Sequence, residues 1–158
     1  MARFDQIRTS TGAIEDTVNL THAVGTGARN ERADVLLIQT LFNYIVKGLG
    51  PRSAGLGGEY TVPETSGKMD ANTYSAIAAF QISNMRELMM KRFDGVIHPA
   101  DYKNRTIDLR KRPLMTITYL HLIATDASAI NGDRGYTQAL ARMSPELAMY
   151  LDASIFDA

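Results

Sequence analysis

Three histidines, His22, His98 and His121, and three carboxylates in or beside a glycine-rich stretch, Glu59, Glu64 and Asp70, have the most chemistry to offer in this chain. A zinc ion needs three or four ligands converging on one point. The histidines stand in three separate segments, with no His-x-His or His-x-x-x-Asp spacing, so the sequence predicts no metal centre. Two carboxyl groups suffice for the acid and base roles of glycan cleavage. Nothing around these three predicts the burial that would raise one pKa, and they read as solvated loop residues. The run Ser53-Ala54-Gly55-Leu56-Gly57-Gly58 has no nucleophile elbow of the Gly-x-Ser-x-Gly type, and the stretch lacks the Gly-Lys-Ser/Thr ending of a phosphate loop. With no cysteine at all, thiol nucleophiles, disulfides and thiolate metal sites are excluded. The expectation is a protein that is not an enzyme and carries no cofactor.

What must position these residues is a chain of 158 residues, the length of one domain, with 45% hydrophobic and 22% charged residues. Lys plus Arg balance Asp plus Glu at 17 each. No overall field draws such a chain to nucleic acid, and the basic cluster Arg105, Arg110, Lys111, Arg112 is local. No stretch approaches the ~18 consecutive apolar residues of a membrane span, and Met1-Ala2-Arg3-Phe4-Asp5-Gln6 has no apolar run behind its arginine.

Residues 1–28 show no helical stripe and read as an arm over the core, extended or with a short strand. A first helix is predicted from an N-cap at Asn30, burying Val35, Ile38, Leu41, Phe42 and Ile45 and stopping at Gly48. Six glycines and two prolines between Gly48 and Gly67 predict a long loop. Asp70 can cap a second helix over Ala71 to Met90, with Tyr74, Ile77, Ala78, Gln81, Met85 and Leu88 on neighbouring turns; Gln81, next to Phe80, can hydrogen-bond a backbone turn. Asp94-Gly95 predicts a turn, and Pro99 holds His98 extended. A third segment from about Pro113 has the spacing of a helix, although its β-branched residues also suit a strand. After the turn at Asn131-Gly132-Asp133, Tyr136 to Met143 suits a short helix, and Ser144-Pro145-Glu146 starts a last one that frays after Asp152. The methionines Met85, Met89, Met90 and Met115 read as core or as an adaptable partner groove. Arg86, Lys91 and Arg92 among them read as a solvated helix end.

Two segments carry a resemblance. Asp34-Val35-Leu36-Leu37-Ile38-Gln39-Thr40-Leu41-Phe42-Asn43 and Gly67-Lys68-Met69-Asp70-Ala71-Asn72-Thr73-Tyr74-Ser75-Ala76-Ile77-Ala78-Ala79-Phe80-Gln81 are followed by the turn Asp94-Gly95-Val96-Ile97-His98-Pro99. Together, residues 25–124 resemble the peptidoglycan-binding-like domain family, a three-helix module. The lead-in Val24-Gly25-Thr26-Gly27-Ala28-Arg29-Asn30 is similar to a branch of that family linked to type VI secretion. Departures are Thr65-Ser66-Gly67 where an Asp-Gly pair is common, an enlarged loop, an insertion at 100–112, and residues 126–158 beyond the module.

The resulting expectation is a mainly α single domain. It comprises an N-terminal arm (1–28), a three-helix peptidoglycan-binding-like core (29–125) with a long inter-helix loop, and a helical C-terminal extension (126–158). The resemblance implies a bacterial module that binds peptidoglycan or its stem peptide in a shallow groove near Asp70, Asn72, Thr73, Tyr74 and Asp94. The alternative is a protein-docking adaptor or structural component of a contractile secretion machine. An apolar patch favours docking and an aromatic platform among polar groups favours glycan, so Tyr44, Tyr60 and Tyr74 are the aromatics that matter. Without an export signal the chain is expected in the cytoplasm as synthesised, or in the periplasm or medium by a signal-independent route.

Overall fold

The first 28 residues are not an arm laid over a helical core; residues 3–19 are a β-hairpin built into the body, and Val24–Gly25 pair in a second sheet. Ile7 and Thr9 point inward while Gln6 and Arg8 point to solvent, the period-two pattern of a half-buried strand. Strand β1 (Arg3–Thr9) pairs antiparallel with β2 (Ile14–Asn19), and Gly12 N–H donates to the Thr9 carbonyl in the connecting turn. A short strand in the inserted stretch, β5 (Thr106–Ile107), joins β1 in parallel, giving the order β2-β1-β5. Strand β3 (Val24–Gly25) pairs antiparallel with β4 (Val96–Ile97) in a second, two-stranded sheet. The computed structural model describes residues 2–56, 62–88 and 94–156, with side chains as far as residue 151.

Five helices complete the described residues: α1 (Arg32–Ser53), α2 (Ala71–Ser83), α3 (Thr116–Asn131), α4 (Tyr136–Met143) and α5 (Pro145–Phe156). The class is therefore α+β, with a mixed three-stranded sheet and a two-stranded sheet, and the expectation of a mainly α, three-helix architecture is overturned. The physical reason is non-local. Strand β1 takes most of its pairing from β2 in the local hairpin, but the sheet is completed from far along the chain by the two-residue β5, too short to be a strand by itself, and by α5 packing on β1.

Helix α1 is the spine, with Val35, Leu36, Leu37, Ile38, Leu41, Phe42 and Ile45 all buried. Two predicted details of it are wrong. Its N-cap is Glu31; Asn30 instead takes a positive φ of 52° and grips Gly25, accepting from its N–H and donating to its carbonyl. Nor does Gly48 end it. A Cβ there would lie 2.9 Å from the Ala127 Cβ and carbonyl oxygen, so this glycine allows α1 to approach α3 closely, and the break comes at Gly50-Pro51. Gly25 has the same role in the sheet, where a side chain would collide with the Gly95 carbonyl.

Helix α2 begins at Ala71 as expected but ends at Ser83: Asn84 leaves helical geometry at φ −121° and ψ 24°, and its side-chain amide donates to the Phe80 carbonyl. Its inner face places Phe80 edge-on against Phe42, with ring centroids 5.8 Å apart, and buries Ile77. The third segment is helical, buries Ile117, Leu120 and Ala124, and is closed by Gly132 at a left-handed φ of 76°. Helix α4 covers Tyr136–Met143 as predicted, and Ser144 caps α5 by accepting the Leu147 N–H; α5 continues to Phe156, past the expected fraying point.

Candidate functional site

Side-chain amides hold the irregular segments around α2. The buried Gln39 accepts from Gly67 N–H at 2.8 Å and donates to the Lys68 carbonyl and to Thr73 Oγ1. Gln81 does the same one helix later, accepting from Gly95 N–H at 3.1 Å and donating to the Val96 carbonyl at 2.9 Å. Asn19 clasps both the N–H and the carbonyl of Ala100. A primary amide offers an acceptor and two donors where a peptide group offers one of each, so it can stand in for a missing strand partner and satisfy a buried turn. This is the role expected of Gln81 from sequence.

The predicted site residues fall at two places. Asp70, Asn72, Thr73 and Tyr74 stand at the start of α2, while Asp94 precedes the turn held by Gln81 at the other end, separated by roughly 16 Å of helix. They do not line one groove. Asp70 Oδ1 accepts from Thr73 N–H at 2.8 Å and from Thr73 Oγ1 at 2.7 Å, and Thr73 is fully buried. Those two residues form an N-cap. Asp94 accepts from Val96 N–H and faces His98 at 3.7 Å. Asn72 and Tyr74 are exposed. Of the other aromatics considered, Tyr44 is buried and donates to Asp133 Oδ2 at 2.7 Å; burial and that carboxylate push its pKa up to about 12. Tyr60 and Glu59 lie outside the described residues, as do Met89, Met90, Lys91 and Arg92, and Glu64 is exposed.

The outer face of α2 is unusual for a surface. The helix, ANTYSAIAAFQIS, carries no charged residue, in a chain that is 22% charged. Its exposed positions are Ala71, Asn72, Tyr74, Ser75, Ile82 and Ser83, with Ala78 half-buried between. Tyr74, Ala78 and Ile82 follow one another at i, i+4 spacing on a single ridge, and Met85 lies just beyond the helix end. Tyr74 is 38% exposed, Ile82 55% and Met85 37%. The remaining exposed large apolar side chains, Ile14, Ile130, Met143 and Met149, belong to other elements.

Two charged clusters were not foreseen. His22, Glu31 and Asp34 come together at the start of α1, with one potential ligand atom from each within 4.8 Å of the others. The only local signal is that Glu31 and Asp34 are one helical turn apart; His22 joins them because the chain doubles back between β2 and α1. Elsewhere His121 is only 2% exposed and bridges Glu15 Oε1 at 2.9 Å and the Tyr136 hydroxyl at 2.8 Å. Tyr136 in turn meets Thr17 Oγ1 at 2.9 Å. Burial lowers the His121 pKa, and Glu15 opposes it. This chain of contacts ties β2, α3 and α4 together beneath the surface.

Among the described residues no helix is long and apolar enough to cross a membrane. Family models, curated proteins and solved structures give no match to this chain.

Proposed function

We propose that this chain is a non-catalytic docking module that receives a protein partner on the outer face of α2. The observation that carries this reading is the uncharged, partly apolar exposed ridge Tyr74, Ala78, Ile82, with Met85 at its end. Interface cores are depleted in charge and enriched in tyrosine and methionine, and this face has that composition. The glycan-binding alternative loses its polar platform, since Asp70 and Thr73 are occupied in capping and Asp94 stands at the other end of the helix.

The resemblance to the peptidoglycan-binding-like family supports a partner in a bacterial secretion machine, which makes the chain an adaptor or structural component there. Thr73, Ile77, Phe80 and Gln81, which carry that resemblance, are buried and speak for a shared scaffold rather than a shared ligand. The test is a photo-reactive residue at position 82, compared with one at the exposed Lys103, in cells that make the protein. A discrete protein adduct from 82, absent from 103 and lost when Tyr74→Ser and Met85→Ser are added, is the expected result. Adducts of equal yield from both positions would remove this face as the docking surface.

A further inference from the structure

The cluster at the start of α1 has the geometry of a cation site. His22 Nδ1 is buried with no hydrogen-bond partner, although two carboxylates flank it: Glu31 Oε2 at 3.4 Å and Asp34 Oδ2 at 3.9 Å. A hydrogen bond between ring nitrogen and carboxylate closes to about 2.8 Å. Ligands held 2.0 to 2.2 Å from a tetrahedral zinc ion are instead spaced about 3.4 Å from one another. The His22–Glu31 pair therefore has the spacing of two ligands on a small divalent ion, and Asp34 stands about 0.5 Å further off, with all three ligand atoms within 4.8 Å of one another.

Their supports are firm. Asp34 is fully buried and oriented by two backbone donors, Thr21 N–H at 2.9 Å on Oδ1 and His22 N–H at 3.0 Å on Oδ2. Oriented ligating carboxylates of this kind are the outer support that metal sites require. One imidazole and two carboxylates match a dication in charge and suit zinc or cobalt, which accept mixed nitrogen and oxygen donors.

Arg29 lies across this group. Its Nε is 2.8 Å from Glu31 Oε1 and its Nη1 is 2.9 Å from His22 Nε2. A guanidinium only donates, so Nε2 accepts and the proton of the neutral ring sits on Nδ1. For Nδ1 to ligate a metal, that proton must transfer to Nε2 through solvent, and Arg29, 64% exposed, must swing off the ring. We propose that His22, Glu31 and Asp34 form a three-ligand site for a zinc-class divalent cation, with Arg29 as a built-in competitor for it. The site is independent of the α2 face.

Cobalt(II) titration of the full chain, followed by the visible absorption of four-coordinate cobalt, with zinc competition by calorimetry, tests this. Wild type should bind one equivalent, and His22→Ala and Glu31→Gln should each lose it with far-ultraviolet circular dichroism unchanged. Arg29→Ala should tighten binding by about tenfold, the effect of removing one adjacent like charge. His98→Ala, which alters a surface histidine elsewhere, should leave the isotherm as it is. Binding that survives His22→Ala, no cobalt band in wild type, or an affinity indifferent to Arg29→Ala would each overturn the proposal.

Discussion

The two helices that flank the glycine-rich loop begin in opposite ways. Helix α2 is closed locally: Asp70 reaches three residues ahead to Thr73 and satisfies the first turn. Helix α1 has no side-chain cap bond from Glu31, and Asp34 in its first turn reaches back to the N–H groups of Thr21 and His22. One start completes itself within the helix. The other is a junction between the exit of the hairpin and the spine, and it gathers charged groups that the first does not. Capping chemistry at α2 is therefore a poor place to look for a ligand, and the neighbouring outer face and the α1 junction are better ones.

This contrast predicts a graded series of losses. Asp34→Ala should have the largest effect, about 3 kcal/mol, because it strands two backbone donors in a buried junction. Urea midpoints at neutral pH measure it. Gln39→Leu and Gln81→Leu should follow at about 2 kcal/mol each, since each leaves a turn with an unmet N–H and carbonyl. Asp70→Ala should cost about 1 kcal/mol, the ordinary value of an N-cap. If Asp70→Ala proved as damaging as Asp34→Ala, the distinction between a self-contained start and a junction would fail.

A smaller effect concerns the second long-range cluster. Burial holds the His121 pKa below 6.5, against the pull of Glu15, so the unfolded chain takes up this proton first as the pH falls. Stability from this group is full above pH 6.5 and declines below it, until the buried ring protonates as well. Urea midpoints taken across that window should fall with pH in wild type and flatten in His121→Gln.

Local signals were the readable ones. Asp70 before Ala71, Asn131-Gly132-Asp133 and Ser144-Pro145 marked helix ends that the structure reproduces, because each involves contacts within a few residues. Gln81 was readable as a clamp because it adjoins Phe80 on the buried face. The third strand of the sheet was not readable, since Thr106–Ile107 meets β1 almost a hundred residues on. Gly48 was misread as a stop because nothing local reveals that Ala127 would press on it. Likewise, His22 meets Glu31 and Asp34, and His121 meets Glu15, only through the path of the folded chain. Of the predicted ligand set, Tyr74 lies on the outer ridge of α2 with Asn72 beside it, whereas Asp70 and Thr73 are joined to each other by capping hydrogen bonds.

Peptidoglycan itself separates a protein-docking face on α2 from a glycan-binding one. The most direct test is co-sedimentation of the purified chain with insoluble peptidoglycan sacculi, beside an unrelated protein of similar charge and an Asn72→Ala, Tyr74→Ala variant. With a protein-docking face, recovery stays at the level of the unrelated protein, the same for wild type and variant. Saturable recovery of the wild type that the variant loses would contradict that reading and make the same helix a cell-wall binding face.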